Sequence, residues 1–394
     1  MSFEVKLLHE TAEQQQWIDL YVSSSSLTHV KCFQHFLPLF KSDSFTHNSN
    51  IARSNTSRPD TSPPEGATDA RLGHIIRLLS DNATLVISGT RIAEELGTTR
   101  SEVWRAIEHL RDLGVHITGH PSSGYQLESV ADLLLPDIVG PLIGGTIFAP
   151  RIRHYFRIGS TNLAVMHAAA AGEPEGSVFF AEQQTAGRGR GANAWESVAS
   201  EGIYCSTILR PQLSPADALL LSLIAGIAVA EAVEQTTGSH SDLRWPNDVL
   251  LEERKFCGIL TEMNAEATRV RYVVVGIGIN VNQPCFSPEL EPIATSLRIA
   301  SGREWSRVQL AAALLKSLDD WYRKLSDGTV ESRPAIFRKF EDRSSFARNR
   351  FVHVDEEGGY EGVTEGLDSR GFLLVRTDRG LRTVLSGSVR AANI

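Results

Sequence analysis

Apolar residues recur at helical spacing in the N-terminal third, which predicts three helices over about 72–79, 88–96 and 99–113. Ser88 is a typical N-cap, and glycines after the second and third helices act as stop signals. Two alternating segments, about 115–118 and 124–127, predict a hairpin. Three helices and a hairpin in this order outline a winged helix-turn-helix.

The middle of the chain, from about 151 to 342, alternates between strand and helix patterns, which predicts an α/β or α+β domain. The long apolar segment Pro215–Gln235 predicts a buried core helix rather than a membrane span, because polar residues interrupt it. The predicted strands cover about 154–158, 177–181, 203–209, 249–251, 256–262 and 270–281, and two more helices cover about 305–324 and 330–340. Four short strands follow, about 351–354, 360–367, 372–376 and 383–389, and predict a small β barrel.

Residues 1–66 are rich in Ser, Thr, Asn, Pro and Asp beyond position 42, which predicts a disordered extension. A short helix is predicted near 10–21. His29 and His35 flank Cys32, but their spacing is not that of a zinc site.

Composition narrows the class of protein. The chain has 394 residues, enough for two or three domains, with 42% apolar and 22% charged residues, as in soluble proteins. The net charge of −8 excludes a generally basic nucleic-acid coat, so any DNA contact must come from a local patch. Its four cysteines form no CxxC pair and the N-terminus shows no leader, so we expect a protein of the reducing cytoplasm without a membrane partner.

The clearest candidate for chemistry is the loop Ala181-Glu-Gln-Gln-Thr-Ala-Gly-Arg-Gly-Arg-Gly-Ala-Asn-Ala-Trp195. Glycines let the backbone approach a ligand, and Arg188 and Arg190 can each clamp a phosphate or carboxylate with two hydrogen bonds. The spacing is neither that of a P-loop nor that of a dinucleotide fingerprint. A flexible turn without a ligand is the alternative.

Three further segments carry polar or small residues at positions typical of ligand-binding sites. Arg244-Trp-Pro-Asn-Asp248 is a rigid polar turn, and Lys255 follows it in a strand. Gly276-Ile-Gly-Ile-Asn280 places small residues inside an apolar strand, which indicates close approach by a ligand or another backbone. Gly159-Ser-Thr-Asn162 gathers hydroxyl and amide groups at a helix N-terminus, a natural place for the polar head of a small molecule.

Together and in this order, the four motifs resemble the bifunctional biotin protein ligases and biotin operon repressors, over roughly residues 68–394. The resemblance implies a multi-domain α+β fold. A winged helix-turn-helix (67–130) would precede a mixed-sheet catalytic domain (131–345) and an SH3-like C-terminal barrel (346–394).

The resemblance also implies a reaction and its residues. Biotin's carboxylate would attack the α-phosphate of ATP, with Mg²⁺ assisting, and a lysine of the biotin carboxyl carrier protein of acetyl-CoA carboxylase would then attack biotinyl-5′-AMP. The implied catalytic residues are Arg190, Lys255 and Asp248, the last as proton acceptor or orienting group. The implied biotin-binding residues are Ser160, Thr161, Asn162, Gln184, Arg188, Lys255 and Gly258. The implied adenylate-binding residues are Gly187, Arg188, Gly189, Arg190, Trp195, Asn280 and Arg390.

For the repressor activity, the resemblance implies operator DNA as a partner and a homodimer when adenylate is bound. We expect the DNA contacts from Thr99, Arg100 and Arg105, although acidic residues interleave with the arginines of this helix. A helical module that does not bind DNA is the alternative. No cluster of carboxylates identifies the Mg²⁺ ligands.

One departure from the family pattern concerns the glycine-arginine loop. The family loop reads Gly-Arg-Gly-Arg-x-Gly-Arg-x-Trp, and here Ala192-Asn193 replaces the second Gly-Arg pair. We therefore expect weaker retention of the adenylate. Two alternatives follow: a biotin-responsive DNA-binding regulator with little ligase activity, and a lipoate-type protein ligase, which shares the catalytic fold.

Overall fold

The computed structural model describes residues 5–11, 14–20, 65–82, 84–112, 114–129, 132–191, 193–356 and 358–392. The helices are α1 Glu65–Ser80, α2 Gly89–Glu95, α3 Arg100–Asp112, α4 Pro136–Leu142, α5 Thr161–Ala170, α6 Leu219–Thr237, α7 Leu297–Ser301, α8 Arg307–Ser326 and α9 Ser332–Asp342. The strands are β1 Val5–Thr11, β2 Gln14–Leu20, β3 His116–His120, β4 Gly124–Ser129, β5 Ile152–Ile158, β6 Val178–Gln184, β7 Gly202–Leu209, β8 Asp242–Arg244, β9 Asp248–Leu251, β10 Arg254–Ala265, β11 Val270–Asn280, β12 Arg348–Val354, β13 Tyr360–Leu367, β14 Leu373–Thr377, β15 Gly380–Val384 and β16 Val389–Ala391.

Helices α1–α3 and the hairpin β3–β4 form the predicted winged helix-turn-helix, which we call the head. Ser88 caps α2 by accepting a hydrogen bond from the Arg91 amide at 3.1 Å, as its sequence position predicts. The hairpin is tied to the helices by a bridge between Ile87 and Tyr125. A Cβ at Gly124 would lie 2.0 Å from the Ile87 carbonyl oxygen, so this close approach requires glycine.

The central domain is built on a seven-stranded mixed sheet with the order β5-β6-β7-β11-β10-β9-β8. Strands β5 and β6 are parallel, and all other neighbouring pairs are antiparallel. Helices α6 and α8 contribute to the large apolar core, and α5 packs with Phe179, Ile208, Tyr272 and Val274 in a second cluster. Helix α6 follows a 3₁₀ turn at Pro215–Asp217. Among the described residues, the segment 215–237 alone is long and apolar enough to span a membrane, but it is 78% buried and forms part of the core.

The head and the sheet share one core. Phe156 of the edge strand β5 is buried with the apolar residues of α1–α3, together with Leu133 and Leu135 of the connecting segment. Packing of this kind fixes the orientation of the head relative to the sheet.

A buried ion-pair cluster lies beside this joint. Arg307, at the start of α8, donates to Glu182 Oε2 of β6 at 2.7 Å and to the backbone carbonyl of Gly202 at 3.0 Å. Glu182 Oε1 accepts from the Leu134 amide at 3.0 Å and contacts His154 Nε2 at 2.9 Å. Burial opposes ionisation of Glu182, but these partners hold its pKa at about 2. We call these side chains the Glu182 cluster.

The C-terminal segment forms a five-stranded antiparallel sheet, β15-β14-β13-β12-β16, consistent with the predicted SH3-like barrel. The segment 383–389, predicted as one strand, is instead divided between β15 and β16. Gly387 lies between them with φ of +89°, and a Cβ there would lie 2.1 Å from the Asp355 carbonyl oxygen. The turn 385–388 therefore leaves the sheet and faces the central domain.

The N-terminal segment differs from the prediction. Instead of a helix near 10–21, β1 and β2 pair as an antiparallel hairpin with Val5 opposite Leu20. The predicted helix was wrong because residues 14–20 form hydrogen bonds with residues 5–11, and the residue pattern within 10–21 does not reveal that pairing. The rest of residues 1–64, including most of the predicted disordered extension, lies outside the described residues.

Candidate active site

A polar cluster lies where α5 begins, beside the sheet. The Thr161 amide donates to Gln184 Oε1 at 2.8 Å, and Ser206 Oγ donates to Asn162 Oδ1 at 2.5 Å and lies 2.8 Å from the Thr161 hydroxyl oxygen. Ser160 is the N-cap of α5, yet its Oγ is buried without a hydrogen-bond partner among the described residues. An unpaired buried hydroxyl is costly, so this atom is suited to a polar ligand atom.

Glycines of adjacent strands form the floor of the cleft. Gly258 of β10 pairs directly with Gly278 of β11, and the Trp195 ring lies over both. A Cβ at Gly278 would lie 2.6 Å from Trp195 Cε2, and one at Gly276 would lie 1.9 Å from Asn162 Oδ1. The sequence predicted close approach by a ligand or another backbone, whereas the groups that lie against these glycines are the side chains of Trp195 and Asn162.

A β-bulge brings Lys255 into the cleft. The register of β10 against β9 shifts between Lys255 and Cys257, so Lys255 reaches the face that carries Gly258 despite the odd spacing between them. Its Nζ lies 2.6 Å from Asp248 Oδ1 and 5.6 Å from the centre of the Trp195 ring. The ammonium group therefore lies between a carboxylate and an aromatic face.

Asp248 is held as an anion. Its Oδ2 accepts from Arg244 Nη2 at 2.7 Å, in addition to the contact with Lys255. Burial alone would raise the pKa of Asp248, but these two cations keep that pKa below its ordinary value. A carboxylate held in this way orients its cation well and is a weak proton acceptor.

The turn 244–248 joins the glycine-arginine loop to the C-terminal barrel. Asn247 Oδ1 accepts from Arg190 Nη1 at 3.2 Å, and the same nitrogen donates to the Gly387 carbonyl at 3.0 Å. Trp245 Nε1 donates to the Gly371 carbonyl of the barrel at 3.0 Å. One arginine of the loop thus links the catalytic domain to the barrel turn 385–388.

Arg188, the other arginine of the loop, contacts Glu262, which no sequence motif identified as a site residue. Arg188 Nη2 donates to Glu262 Oε1 at 3.0 Å, and Asn162 Nδ2 donates to Glu262 Oε2 at 3.0 Å. The only sequence signal for Glu262 is its even spacing from Gly258 along β10, which places both on one face of the strand.

Two neighbouring cavities, of about 50 and 540 Å³, share Arg188, Gly189, Arg190 and Asn247 in their walls. The smaller cavity brings together ten of the predicted site residues: Ser160, Thr161, Asn162, Gln184, Arg188, Gly189, Arg190, Trp195, Lys255 and Gly258. The larger one extends to the barrel turn 385–388.

Four predicted residues do not line these two cavities. Gly187 lies within the loop, where a Cβ would lie 2.3 Å from the Trp195 carbonyl oxygen, and Asp248 contacts Lys255 Nζ at 2.6 Å. The Asn280 side chain is turned away, with Nδ2 donating to the Thr295 carbonyl at 3.2 Å. Arg390 is an exposed residue of β16.

The head presents all three of its predicted DNA contacts to solvent. Thr99, Arg100 and Arg105 are exposed at the start and along the surface of α3. Thr99 also caps this helix: its Oγ1 accepts from the Glu102 amide at 3.2 Å, while Glu102 Oε2 accepts from the Thr99 amide at 3.1 Å. This reciprocal pair is a capping box, and the Thr-x-x-Glu spacing is its sequence signal.

Metal-binding geometry is not evident in the described part of the chain, which contains no group of three or more His, Cys, Asp or Glu side chains placed to hold an ion.

Comparison with known proteins agrees with this architecture. Residues 157–280 match the biotin/lipoate A/B protein ligase family, 71–126 an HTH domain and 352–390 the biotin protein ligase C-terminal domain. The bifunctional ligase/repressor BirA of Bacillus spizizenii is 34% identical over 317 residues, which cover 80% of this chain and 97% of that relative. The chain belongs to the biotin protein ligase family. Its membership confirms the resemblance inferred from the motifs and the three-part fold class.

Two further biotin ligases support the same conclusion. The Escherichia coli bifunctional ligase/repressor BirA is 29% identical, over 77% of this chain and 92% of its own length. The structure of the Aquifex aeolicus biotin protein ligase in complex with biotin and ATP superimposes with a TM-score of 0.54 at 30% identity, covering 61% of this chain and 99% of that one.

Proposed function

We propose that this protein joins biotin to ATP, forming biotinyl-5′-AMP and pyrophosphate, and transfers the biotinyl group to a lysine of a biotin carboxyl carrier protein in the cytoplasm. The supporting observation is the cleft itself, whose walls bring together the cations Arg188, Arg190 and Lys255 and the buried, unpaired Ser160 hydroxyl. This combination suits a small molecule with a polar head and a carboxylate that must meet a phosphate.

The first step needs charge neutralisation rather than a base, because biotin's carboxylate is already ionised. A carboxylate oxygen attacks the α-phosphorus of ATP, and the bond to the pyrophosphate oxygen breaks. Two anions must approach in line, so we assign Arg188, Arg190 and Lys255 to neutralising and aligning them. Mg²⁺ would enter with the ATP phosphates, since this ion commonly binds through substrate phosphates and few protein ligands.

In the second step a neutral lysine amine attacks the biotinyl carbonyl, AMP leaves, and the proton released from the amine passes to the departing phosphate or to solvent. We assign Asp248 to holding the Lys255 ammonium in place, because its two cationic partners lower its pKa and leave it a weak base. The adenylate contacts of Asn280 and Arg390 stay predictions.

Mass spectrometry of the purified protein with biotin, ATP, Mg²⁺ and a biotin acceptor domain tests the proposal. Biotinyl-5′-AMP and a biotin-sized mass gain on the acceptor are expected. Biotin binding without adenylate or transfer would favour the regulator without ligase activity. Preferential use of lipoate would favour the lipoate-type ligase.

Gly278→Ala is expected to weaken biotin binding by at least about tenfold, because the added methyl group displaces the Trp195 ring and overpacking typically costs roughly 1–3 kcal/mol. Isothermal titration calorimetry measures the change. Gly144→Ala is the control, since its Cβ would meet nothing closer than 3.8 Å. Unchanged binding by the Gly278 variant would contradict the role of the glycine floor.

Restoring the family's second Gly-Arg pair, by Ala192→Gly with Asn193→Arg, is expected to slow release of biotinyl-5′-AMP by roughly tenfold, the equivalent of about 1.4 kcal/mol. The reason is the added cation beside the adenylate. The Asn193 side chain stabilises the loop itself, since its Nδ2 donates to the Arg190 carbonyl at 3.0 Å. Adenylate release is measured after rapid removal of free ligand, and equal rates would refute the expectation.

We further propose that the adenylate-bound protein dimerises and binds operator DNA through the head. The head offers few exposed cations, so a dimer that doubles the phosphate contacts is expected to bind far more tightly than a monomer. Operator affinity, followed by fluorescence anisotropy, is expected to rise only when biotin and ATP are both present. Equal affinity of the ligand-free protein would contradict this dependence.

A further inference from the structure

A chain of hydrogen bonds crosses the cleft from its polar end to the glycine-arginine loop. It begins at Thr161 Oγ1, passes through Ser206 Oγ to Asn162 Oδ1, and continues from Asn162 Nδ2 to Glu262 at 3.0 Å. Glu262 then accepts from Arg188, whose Nη2 and Nη1 lie 3.0 and 3.5 Å from its two carboxylate oxygens. The group that would meet biotin's head is thereby connected to an arginine that would meet its carboxylate.

The chemistry of this position requires a carboxylate. Both neighbours of Glu262 present N–H donors: the guanidinium of Arg188 and the amide nitrogen of Asn162. The orientation of the Asn162 amide is set because its Nδ2 also donates to the Leu260 carbonyl at 3.3 Å, and a carbonyl oxygen can only accept. Only an ionised carboxylate offers an acceptor oxygen to each donor, whereas a glutamine would direct its own N–H₂ group at one of them.

Holding Arg188 in this way leaves it able to bind an anion. A guanidinium carries five N–H groups, and Glu262 engages only two of its nitrogens. The loop backbone beside Arg188 is fixed by hydrogen bonds from the Gly189 amide to the Asn193 carbonyl at 2.8 Å and from the Trp195 amide to the Gly187 carbonyl at 2.9 Å, which leaves the conformation of the long side chain to its own contacts. Without Glu262, ordering Arg188 would have to occur when the ligand binds, at the expense of affinity.

We infer that Glu262 is a positioning residue that holds Arg188 ready for the carboxylate of biotin and couples that arginine, through Asn162, to the polar cluster at the start of α5. The inference rests on the proposed function and deepens it. It assigns to Glu262 no contact with the reacting atoms.

A double-mutant cycle on Glu262→Gln and Arg188→Ala tests the inference, with pyrophosphate release measured against biotin concentration. Glu262→Gln is expected to lower kcat/KM for biotin by about 10- to 100-fold, the usual effect of losing a charged hydrogen bond. The KM for the acceptor domain is expected to stay unchanged. In the Arg188→Ala background the same change is expected to have less than about a twofold further effect, because the two residues act together.

Two more variants separate positioning from folding. Glu266→Gln is the matched control, because this exposed residue just beyond the same strand accepts from Arg271 Nε at 2.9 Å outside the cleft, and it is expected to leave kcat/KM unchanged. Glu262→Asp keeps two acceptor oxygens and is expected to recover part of the kcat/KM lost in Glu262→Gln. A loss of thermal stability alone would not produce this recovery by the aspartate variant.

The outcomes are distinguishable. A wild-type protein that forms no adenylate would overturn the proposed function, and the inference would fall with it. With an active wild type, an effect of Glu262→Gln that persists in full without Arg188, or an aspartate variant no better than glutamine, would overturn the inference alone.

Discussion

Lys255→Ala is expected to lower kcat for biotinyl-5′-AMP formation by about 10²–10³-fold, the effect of removing one preorganised charged donor from an active site. Lys255 is turned into the cleft by the bulge in β10 and fixed by Asp248 at 2.6 Å. Its removal leaves one cation fewer to offset the repulsion between the biotin carboxylate and the α-phosphate of ATP. Single-turnover formation of the adenylate, followed by quenched-flow and mass spectrometry, measures the change.

The control for this prediction is Lys324→Ala. Lys324 is an exposed lysine that also lies over a tryptophan ring, 4.2 Å from the centre of Trp321, so it matches Lys255 in its aromatic contact but lies outside the cleft. It is expected to keep the wild-type rate. A Lys255→Ala variant that forms adenylate at the wild-type rate would show that the arginines alone neutralise the reacting groups.

Glu182→Ala is expected to reduce the free energy of unfolding by about 3–5 kcal/mol, the typical effect of leaving one member of a buried ion pair without its partner. Glu182 is fully buried, and its loss removes the nearer carboxylate from the buried Arg307 guanidinium, whose Nε lies 3.7 Å from Asp132 Oδ2. Urea denaturation followed by circular dichroism measures the change. Glu95→Ala, which breaks an exposed pair with Arg91 on α2, is the control and is expected to cost less than about 1 kcal/mol.

The same cluster predicts an acid limit of stability. The folded-state pKa of Glu182 is about 2, below the ordinary value of 4.5, so its ionised form stabilises the native state. That contribution is complete above about pH 4.5 and is lost as the pH falls towards 2. The wild-type stability is therefore expected to fall more steeply in this window than that of the Glu182→Ala variant, and parallel curves would contradict the assignment.

The sequence predicted the elements that depend on neighbouring residues. Ser88 at the start of α2 and the apolar spacing of α3 and α6 report local propensities, and the glycines at 276 and 278 predicted that other groups approach this strand closely. The family motifs then brought ten predicted residues to one cavity. The residue roles themselves stay predictions.

What the sequence missed depends on contacts between distant segments. The bulge that redirects Lys255 arises from the pairing of β10 with β9, and strict alternation would have placed this lysine away from Gly258. Glu262 acquires its role only when β10 lies beside α5 and the glycine-arginine loop. Arg307 lies 125 residues after its partner Glu182 in the chain, so nothing in its local pattern predicts burial.

The core shared by the head and the edge strand β5 bears on how this ligase can be divided. A shortened protein beginning after residue 130 would expose Phe156, Leu133 and Leu135, which are now buried against the head. Such a bare apolar patch on a sheet edge invites self-association. A biotin ligase derived from this chain without the head would therefore need polar substitutions at these three positions to avoid self-association in solution.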